Sequence, residues 1–213
     1  MIDSWYLFGA GGFGHECMDI LHSHLGSDTD FKTSFLVDEA YFNPKLDSSI
    51  TCFSSELIAY LTVAVGEPSL RSQMLARVEK SKLKLRSIIS KHAFVSQKAI
   101  IKDGGIIAPF CSVQATAQLE RNVALNTASI VGHDVHVGES SVISSQANIG
   151  GGTKIGKSAY IGMGASVKEG LTIGDNTIIG MGSVVHRDIP DNVIAMGNPA
   201  RVLKQNTNKQ VFK

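Results

Sequence analysis

The fold is decided by residues 89–185, which divide without a gap into steps of six: ISKHAF VSQKAI IKDGGI IAPFCS VQATAQ LERNVA LNTASI VGHDVH VGESSV ISSQAN IGGGTK IGKSAY IGMGAS VKEGLT IGDNTI IGMGSV V. Every step begins with Val, Ile or Leu, from Ile89 to Val185. A fixed short period of this kind is typical of a solenoid, in which each repeat is one structural unit that packs on its neighbours.

The residues around each aliphatic position predict what one repeat looks like. A mostly small residue stands two positions earlier, as Ala147 does before Ile149, so a large and a small side chain share one face of a short strand. From Val131 onward a glycine often follows, as Gly132 does, and we expect it to let the backbone turn a corner. Six residues then make one side and one corner, and three sides close a triangular coil. We therefore predict a parallel β-helix whose coils stack roughly 4.8 Å apart.

Composition limits the classes of function. The 213 residues suffice for one large or two small domains. The net charge is +1 with no basic run, so a nucleic-acid partner is not expected. No apolar run is long enough to span a membrane, and the N-terminus lacks the pattern of a signal peptide. The three cysteines, Cys17, Cys52 and Cys111, form no recognisable pair, which favours the reducing cytoplasm.

The N-terminal stretch has the order of a nucleotide-binding unit. The glycine turn Gly9–Gly14, with the sequence GAGGFG, follows the apolar run Trp5–Phe8 and precedes a predicted helix over His15–Leu25. A second predicted strand, Phe35–Val37, ends in two acidic residues. Strand, glycine turn, helix, strand and acid is the order of a βαβ unit that binds a nucleotide at the helix N-terminus. The alternative is a tight strand–helix turn that holds no ligand.

Further elements complete this unit. We expect a short helix starting at Ser54, a buried strand over Thr62–Val65 that ends at Gly66, and a helix from Pro68 to about Lys80. The buried stripe of that last helix is predicted to be Leu70, Met74 and Val78.

Two domains follow from this organisation. Residues 1–82 would form a Rossmann-like half-domain, which is too small for a dinucleotide and better suited to a mononucleotide or a nucleotide-sugar. Residues 83–213 would form the β-helix with a C-terminal cap, and the polar tail over 204–213 is expected to fray.

Chemistry requires residues that break the repeat, and the best candidates are His133 and Asp134. They follow a corner glycine, so their side chains should point outward. A histidine near neutral pKa can take a proton from an amine or hydroxyl nucleophile, and a neighbouring carboxylate can fix its tautomer. Gly151 occupies the same position one coil later, where backbone N–H groups would face a thioester oxyanion. The alternative is an exposed His-Asp pair in an ordinary turn.

A metal site is a further alternative for this corner. His136 lies three residues after His133, and γ-type carbonic anhydrases use the same β-helix with three zinc-binding histidines. This chain lacks a convincing third ligand, so no metal is predicted.

The chain resembles the sugar acetyltransferases of the sialic acid O-acetyltransferase type, which include the bacterial nucleotide-4-amino-sugar N-acetyltransferases. The resemblance rests on Gly9–Gly14, Val63–Gly66, the hexads, Gly197–Ala200 and an N-T-x-x-x-x-x-H-[DE] segment over 126–134. It implies that the β-helix is left-handed, that the protein is a homotrimer, and that acetyl-CoA lies in a groove between adjacent β-helices.

The resemblance also implies residue roles. His133 would be the general base, Asp134 its orienting acid and Asn126 a contact near the acceptor. The nucleotide-sugar contacts would come from Gly9, Gly11, Gly12, Phe13, Gly14, Asp38, Glu39 and Gly66. The acetyl-CoA contacts would come from Gly151, Gly152, Gly162, Gly180, Asn198 and Pro199. Phe13 and Val142 stand where many relatives have histidines, so the acceptor end of the site is reshaped.

Together these observations predict an acetyl-CoA-dependent N-acetyltransferase that needs no metal. Its acceptor would be a nucleotide-linked amino sugar, such as a 4-amino-4,6-dideoxy sugar, made for bacterial surface glycans such as O-antigen. One alternative is the O-acetylation of a sialic acid or related sugar. The other is a non-catalytic scaffold that binds a nucleotide-sugar.

Overall fold

The computed structural model describes residues 2–26, 31–42 and 50–212. The N-terminal part is a parallel five-stranded sheet with the strand order β3-β2-β1-β4-β5 and two helices. Its elements are β1 (Ser4–Phe8), α1 (Gly12–Leu25), β2 (Lys32–Val37), β3 (Ile50–Cys52), β4 (Tyr60–Val63), α2 (Pro68–Val78) and β5 (Lys84–Leu85). Helix α1 connects the paired strands β1 and β2, and helix α2 connects the paired strands β4 and β5, as parallel pairing requires a crossover connection.

The two helices differ in detail from the sequence prediction. Helix α1 begins at Gly12 rather than His15, so part of the glycine turn is its first turn. In α2, Leu70 is exposed, and the buried side chains are Pro68, Arg71, Leu75 and Val78. The predicted stripe is confirmed at Val78, and Met74 is partly buried against the same cluster, but it was wrong at Leu70. The buried face turns instead towards Arg71, a charged residue that an apolar pattern does not reveal.

The short helix expected at Ser54 is absent from this described region, where the chain makes only a turn. The Ser54 hydroxyl oxygen accepts a hydrogen bond from the N–H of Glu56 at 3.3 Å. Such a local side-chain bond gives the backbone an alternative to the helix.

The second part is the predicted parallel β-helix, with three faces. From β6 (Ile88–Ile89) to β19 (Ser166–Val167), each strand pairs in parallel with the strand eighteen residues later, which confirms the coil length. Face 1 contains β6 (Ile88–Ile89), β9 (Ile106–Ile107), β12 (Ala124–Leu125), β15 (Val142–Ile143), β18 (Tyr160–Ile161) and β21 (Ile178–Ile179). Face 2 contains β7 (Phe94–Val95), β10 (Ser112–Val113), β13 (Ile130–Val131), β16 (Asn148–Ile149), β19 (Ser166–Val167) and β22 (Val184–Val185). Face 3 contains β8 (Ile100–Ile101), β11 (Gln118–Leu119), β14 (His136–Val137), β17 (Lys154–Ile155) and β20 (Thr172–Ile173).

The aliphatic positions form the core of the coils, as predicted. Every one from Ile107 to Val185 is at most 4% exposed. The same hydrophobic cluster continues without a break into the N-terminal part, through Ile20 and Leu21 of α1 and Trp5 of β1. The β-helix and the α/β part therefore share one core.

The corners turn differently from the prediction. The left-handed backbone conformation falls on the second corner residue, as at Asn122 and Asp134, which both have φ of 60°. Gly132, which directly follows the aliphatic Val131, is not one of the glycines with positive φ. A Cβ on Gly132 would instead lie 2.7 Å from the backbone nitrogen of Gly151 in the next coil. Glycine is needed there because the coils stack closely, not because the chain turns.

Arg71 joins the two parts at a corner of the β-helix. It is fully buried, and its guanidinium donates to the carbonyl oxygens of Val63, Val65 and Asn122 at 2.6–3.0 Å, and to the Oδ1 of Asn122 at 2.8 Å. The Asn122 amide donates back to the Arg71 carbonyl at 3.0 Å and to Ser140 at 2.9 Å. Burial lowers the pKa of Arg71 to about 10, so the group is still charged at neutral pH.

The C-terminal end caps the coils and returns to the α/β part. Strands β23 (Val193–Gly197) and β24 (Ala200–Gln205) form an antiparallel hairpin on β21. The described part of the tail is not frayed, because the buried carboxylate of Glu67 accepts the N–H groups of Val211 and Phe212 at 2.8 and 3.0 Å. A polar composition predicted fraying, but one distant acid satisfies these two donors.

Among residues 2–26, 31–42 and 50–212, no helix combines the length and the apolar character that a membrane crossing requires.

Candidate active site

His133 and Asp134 form the turn between β13 and β14, and their side chains are 72% and 62% exposed, as predicted. We call the column of turns that joins face 2 to face 3 the His133 corner; it includes Ala115–Thr116, His133–Asp134 and Gly151–Gly152. The Nδ1 atom of His133 lies 2.8 Å from the Oδ2 atom of Asp134. An ionised carboxylate only accepts hydrogen bonds, so Nδ1 carries the proton and Nε2 presents a lone pair. This is the arrangement of a general base.

The carboxylate of Asp134 is held on both sides. Its Oδ1 atom accepts a hydrogen bond from the hydroxyl of Thr116, one coil before, at 2.5 Å. The hydrogen bonds from Thr116 and His133, in that order, lower the pKa of Asp134 below its ordinary value. Thr116 was missed from the sequence, although its separation of eighteen residues from Asp134 places it directly beneath.

The imidazole of His133 packs against Gly151 through its Nε2 edge. A Cβ there would lie 2.6 Å from the Nε2 atom of His133, so any side chain would displace the ring. The next residue, Gly152, donates its N–H to the His133 carbonyl at 2.8 Å, whereas the N–H of Gly151 has no hydrogen-bond partner within the described ranges. A free N–H next to the base is what a developing oxyanion requires.

A second candidate region lies at the carboxyl ends of β1 and β2. A cavity of about 390 Å³ is lined by Phe8, Gly9, Ala10, Gly11, Leu36, Val37, Asp38, Tyr41, Ile50, Leu70 and Met74. In open parallel sheets this edge is where ligands bind, at the point where the strand order reverses. Here the order reverses between β1 and β4.

The glycines of the turn divide into two groups. Nothing lies within 4 Å of a Cβ built on Gly11 or Gly12, so these two leave open space at the helix N-terminus. Gly9 has φ of 124° and its Cβ would lie 2.8 Å from the carbonyl oxygen of Ala64. A Cβ on Gly14 would collide with the carbonyl of Gly9. Gly9 and Gly14 are therefore required by the turn itself, whereas Gly11 lines the cavity and Gly12 is the first residue of α1.

The two acids after β2 are in different settings. Asp38 lines the cavity, and both its oxygens accept from Arg77, at 2.6 and 3.0 Å. The guanidinium of Arg77 also lies over the rings of Phe8 and Phe53, at 5.1 and 4.3 Å from their centroids. Glu39 is exposed at the start of a 3₁₀ turn and is not among the cavity residues. Arg77 was not singled out from the sequence, because an arginine in the last turn of a helix is common.

Other predicted residues are not gathered at one place. Phe13 is partly buried against the core and does not line the cavity. Gly66 follows β4, and a Cβ added to it would lie 3.8 Å from the ring of Phe212. Gly162 and Gly180 sit at the corner between faces 1 and 2, where a Cβ would meet the next coil at 2.6 and 2.7 Å. Asn198 and Pro199 lie between the strands of the C-terminal hairpin, away from the His133 corner.

Asn126 and His133 also lie at different corners of one chain, separated by β13. The Oδ1 atom of Asn126 is buried and has no hydrogen-bond partner among the described residues. His136 lies 3.3 Å from Glu120 on face 3, and the described ranges contain no group of three side chains that would hold a metal ion.

Comparisons with known proteins agree with this architecture. The family described as bacterial transferase hexapeptide (six repeats) matches residues 152–187. The GDP-perosamine N-acetyltransferase of Escherichia coli O157:H7 is 30% identical over 141 residues, which are 62% of this chain. The match spans 63% of the length of that curated relative.

Two solved structures are similar over nearly the whole chain. The acetyltransferase domain of PglB from Neisseria gonorrhoeae FA1090, in complex with acetyl coenzyme A, is 31% identical with a TM-score of 0.84, covering 95% of this chain and 100% of that one. A mutant perosamine N-acetyltransferase from Caulobacter crescentus, in complex with CoA and GDP-perosamine, has a TM-score of 0.86 at 24% identity, covering 96% of this chain and 99% of that one. The second likeness concerns the fold alone.

Proposed function

Because this chain belongs to the hexapeptide-repeat transferase family, together with the acetyltransferase domain of PglB, we propose that it is an acetyl-CoA-dependent N-acetyltransferase acting on a nucleotide-linked amino sugar. The observation that carries the proposal is the exposed His133–Asp134 pair, in which Nδ1 of His133 contacts the carboxylate and the Nε2 edge lies against Gly151. The relatives support the substrate class, since one is a GDP-perosamine N-acetyltransferase and another binds acetyl coenzyme A. A 4-amino-4,6-dideoxy sugar destined for surface glycans such as O-antigen, made in the cytoplasm, fits this chemistry.

The residues of the His133 corner would carry the proton transfer. Acetyl-CoA supplies the acetyl group as a thioester. The Nε2 atom of His133 accepts the proton that the amine loses as its nitrogen bonds to the acetyl carbon. The N–H of Gly151 donates to the carbonyl oxygen as charge develops on it. The C–S bond then breaks, and the sulfur leaves as the thiolate of CoA, which the proton held by His133 can neutralise. No covalent enzyme intermediate is needed, because the amine itself is the nucleophile.

The nucleotide would bind in the cavity of the α/β part. Its parallel order β3-β2-β1-β4-β5, with a cavity at the carboxyl ends of β1 and β2, supports a Rossmann-like half-domain. We assign residues 1–82 to this domain and residues 83–213 to a left-handed β-helix. Gly11 and Gly12 would let a phosphate approach the N-terminus of α1, and Asp38, fixed by Arg77, would face the ribose or base.

A homotrimer would complete the site. The outer side of face 2 carries Phe94, Ile130 and Val184, all at least 36% exposed, and Phe110 on the adjoining corner is 68% exposed. Cyclic closure would bury three equivalent apolar faces. It would also bring Asn126 of one protomer towards the His133 corner of its neighbour, where its unpaired Oδ1 would meet the acceptor.

Turnover with matched acceptors tests this function. The release of CoA, followed with a thiol reagent, should depend on a nucleotide-linked amino sugar and be far slower with the matched hydroxy sugar. Equal rates with both acceptors would favour O-acetylation. Binding of the nucleotide-sugar without any CoA release would leave only the scaffold function.

Gly11→Val should weaken the acceptor selectively. Gly11 has φ of −79° and ψ of −175°, which any residue adopts, and its Cβ direction is open, so the fold should persist. The added side chain would occupy the space that a phosphate needs. We expect KM for the nucleotide-sugar to rise about tenfold or more, equivalent to about 1.4 kcal/mol, while KM for acetyl-CoA stays within twofold. Equal weakening of both substrates would contradict the division of labour, and Gly11→Ala should give an intermediate value.

A further inference from the structure

Thr116 is unusual among the corner residues. It has φ of 63°, and it is the only β-branched residue among the described non-glycine residues with positive φ. The others at corners are residues such as Asn122, Ser140 and Asn176, which tolerate this conformation better. A β-branched residue there is a genuine outlier, and strained residues of this kind persist where the surrounding structure needs them.

The hydroxyl of Thr116 lies within hydrogen-bond distance of two acceptors, the carbonyl oxygen of Ala115 and the carboxylate of Asp134. The carboxylate is the charged acceptor and forms the stronger hydrogen bond, so the one hydroxyl proton is directed to it. The hydroxyl donates to the Oδ1 atom of Asp134 at 2.5 Å, while the Oδ2 atom of the same carboxylate lies 2.8 Å from Nδ1 of His133. Three side chains from two successive coils thus form one chain of hydrogen bonds. The parallel stacking of the coils fixes their spacing, because the N–H of Asp134 also donates to the carbonyl of Ala115 at 3.1 Å.

The chain of hydrogen bonds controls which nitrogen of His133 is available. A carboxylate on an exposed corner can rotate about its Cβ–Cγ bond, and a neutral imidazole left to itself keeps its proton mainly on Nε2. With Oδ1 held by Thr116, Oδ2 stays aimed at Nδ1, so Nδ1 keeps the proton and Nε2 keeps its lone pair. Nε2 is the ring atom nearest to Gly151, 2.6 Å from where a Cβ on that residue would lie.

We propose that Thr116 is a positioning residue, which fixes the carboxylate of Asp134 and thereby keeps His133 in the tautomer that can accept a proton at Nε2. The inference rests on the proposed function for its catalytic consequence, but the tautomer can be measured without it. Other charged groups on this corner are farther along it: Lys98 lies one coil before Thr116, and Lys168 and Glu169, with their charged atoms 4.0 Å apart, lie two coils after His133.

Thr116→Ala removes the hydroxyl and relieves the β-branched strain. If Thr116 served only the stability of the coil, this variant would melt at a lower temperature; if it positions Asp134, kcat should fall without a loss of stability. Alanine is accepted at this corner position elsewhere, since Ala128 has φ of 59°. We expect the melting temperature to be unchanged or higher. We expect kcat to fall about three- to tenfold, as for the loss of one hydrogen bond of ordinary strength, with KM for both substrates within twofold. Thr116→Ser, which keeps the hydroxyl, should restore kcat to within twofold of the wild type.

The ¹⁵N chemical shifts of His133, recorded above its pKa, report the tautomer directly. We expect Nδ1 to be protonated in the wild type and in Thr116→Ser, and a shift towards the Nε2-protonated form in Thr116→Ala. An unchanged tautomer in Thr116→Ala, or a loss of kcat in Thr116→Ser as large as in Thr116→Ala, would overturn the proposal. If no acetyl transfer is found at all, the proposed function fails, while the shifts still decide the role of Thr116.

Discussion

His133→Asn is expected to lower kcat about 10²–10⁴-fold, the range that a general base typically contributes. Asparagine has no nitrogen that can accept a proton near neutral pH, so the amine would attack without a base. The side chain of His133 is 72% exposed and adds nothing to the core, so the coil should stay intact. Acetyl-CoA affinity should be nearly unchanged, because the lost interaction belongs to the transition state. Steady-state kinetics with a thermal melt of the variant measure both effects.

Two matched variants serve as controls for His133→Asn. His136→Asn removes an imidazole from face 3, where its partner is Glu120, and His186→Asn removes one near the end of the coils. Both should stay within a few-fold of the wild-type kcat. Asp134→Asn should be milder than His133→Asn, because the base survives in a less favourable tautomer. Full activity in folded His133→Asn, or a larger loss in His136→Asn, would refute the assignment.

Arg71→Met should be the most destabilising of these substitutions. The guanidinium is fully buried and satisfies three carbonyl oxygens and the Oδ1 atom of Asn122. Methionine fills much of the same volume but leaves these acceptors without donors. We expect a loss of about 3–5 kcal/mol in the free energy of unfolding, as for other buried polar networks that lose one member. That loss corresponds to a fall of roughly 6–20 °C in melting temperature for a chain of this size.

Arg121→Met is the matched control, since Arg121 lies at the same joint but is 42% exposed. It pairs with Glu79 and Glu139 at 2.6 and 2.7 Å. Exposed ion pairs contribute about 0–1 kcal/mol, so this variant should melt within a few degrees of the wild type. A double-mutant cycle between Arg71 and Asn122 should show strong coupling, because they share the same bonds. If Arg71→Met costs no more than Arg121→Met, the buried network does not hold the two parts together.

The architecture of the coils could be predicted from the sequence because it is local and repeated. Each aliphatic side chain, such as Val131 or Ile149, enters the core through its own strand, and the period of six fixes which residues do so. The same period placed His133 and Asp134 on an exposed corner and Gly151 directly above them. In a repeat of this kind, residues eighteen positions apart stack in successive coils, so the sequence spacing alone predicts which residues are neighbours in space.

Hydrophobic periodicity also has limits within single elements. It placed Leu70 in the core of α2, whereas the buried residue is Arg71. It assigned corner turning to glycines such as Gly132, whereas the positive φ belongs to residues such as Asp134. In both cases the pattern depends only on the polarity of a side chain. Polarity does not predict the hydrogen-bond partners that allow Arg71 to be buried, nor the close approach of the next coil that requires glycine at position 132.

The remaining features were decided by contacts between distant parts of the chain. The sequence alone determined the β-helix, its core, the position of the His-Asp corner and the glycine turn after β1. Only the tertiary structure decided that Arg71 binds Asn122, that Glu67 holds Val211 and Phe212, and that Asp38 is fixed by Arg77. These pairs are separated by 51, 144–145 and 39 residues, so no local period relates them. A charged group can be removed from water only where donors or acceptors satisfy it, and which groups come close enough to do so is decided by the packing of the whole folded chain.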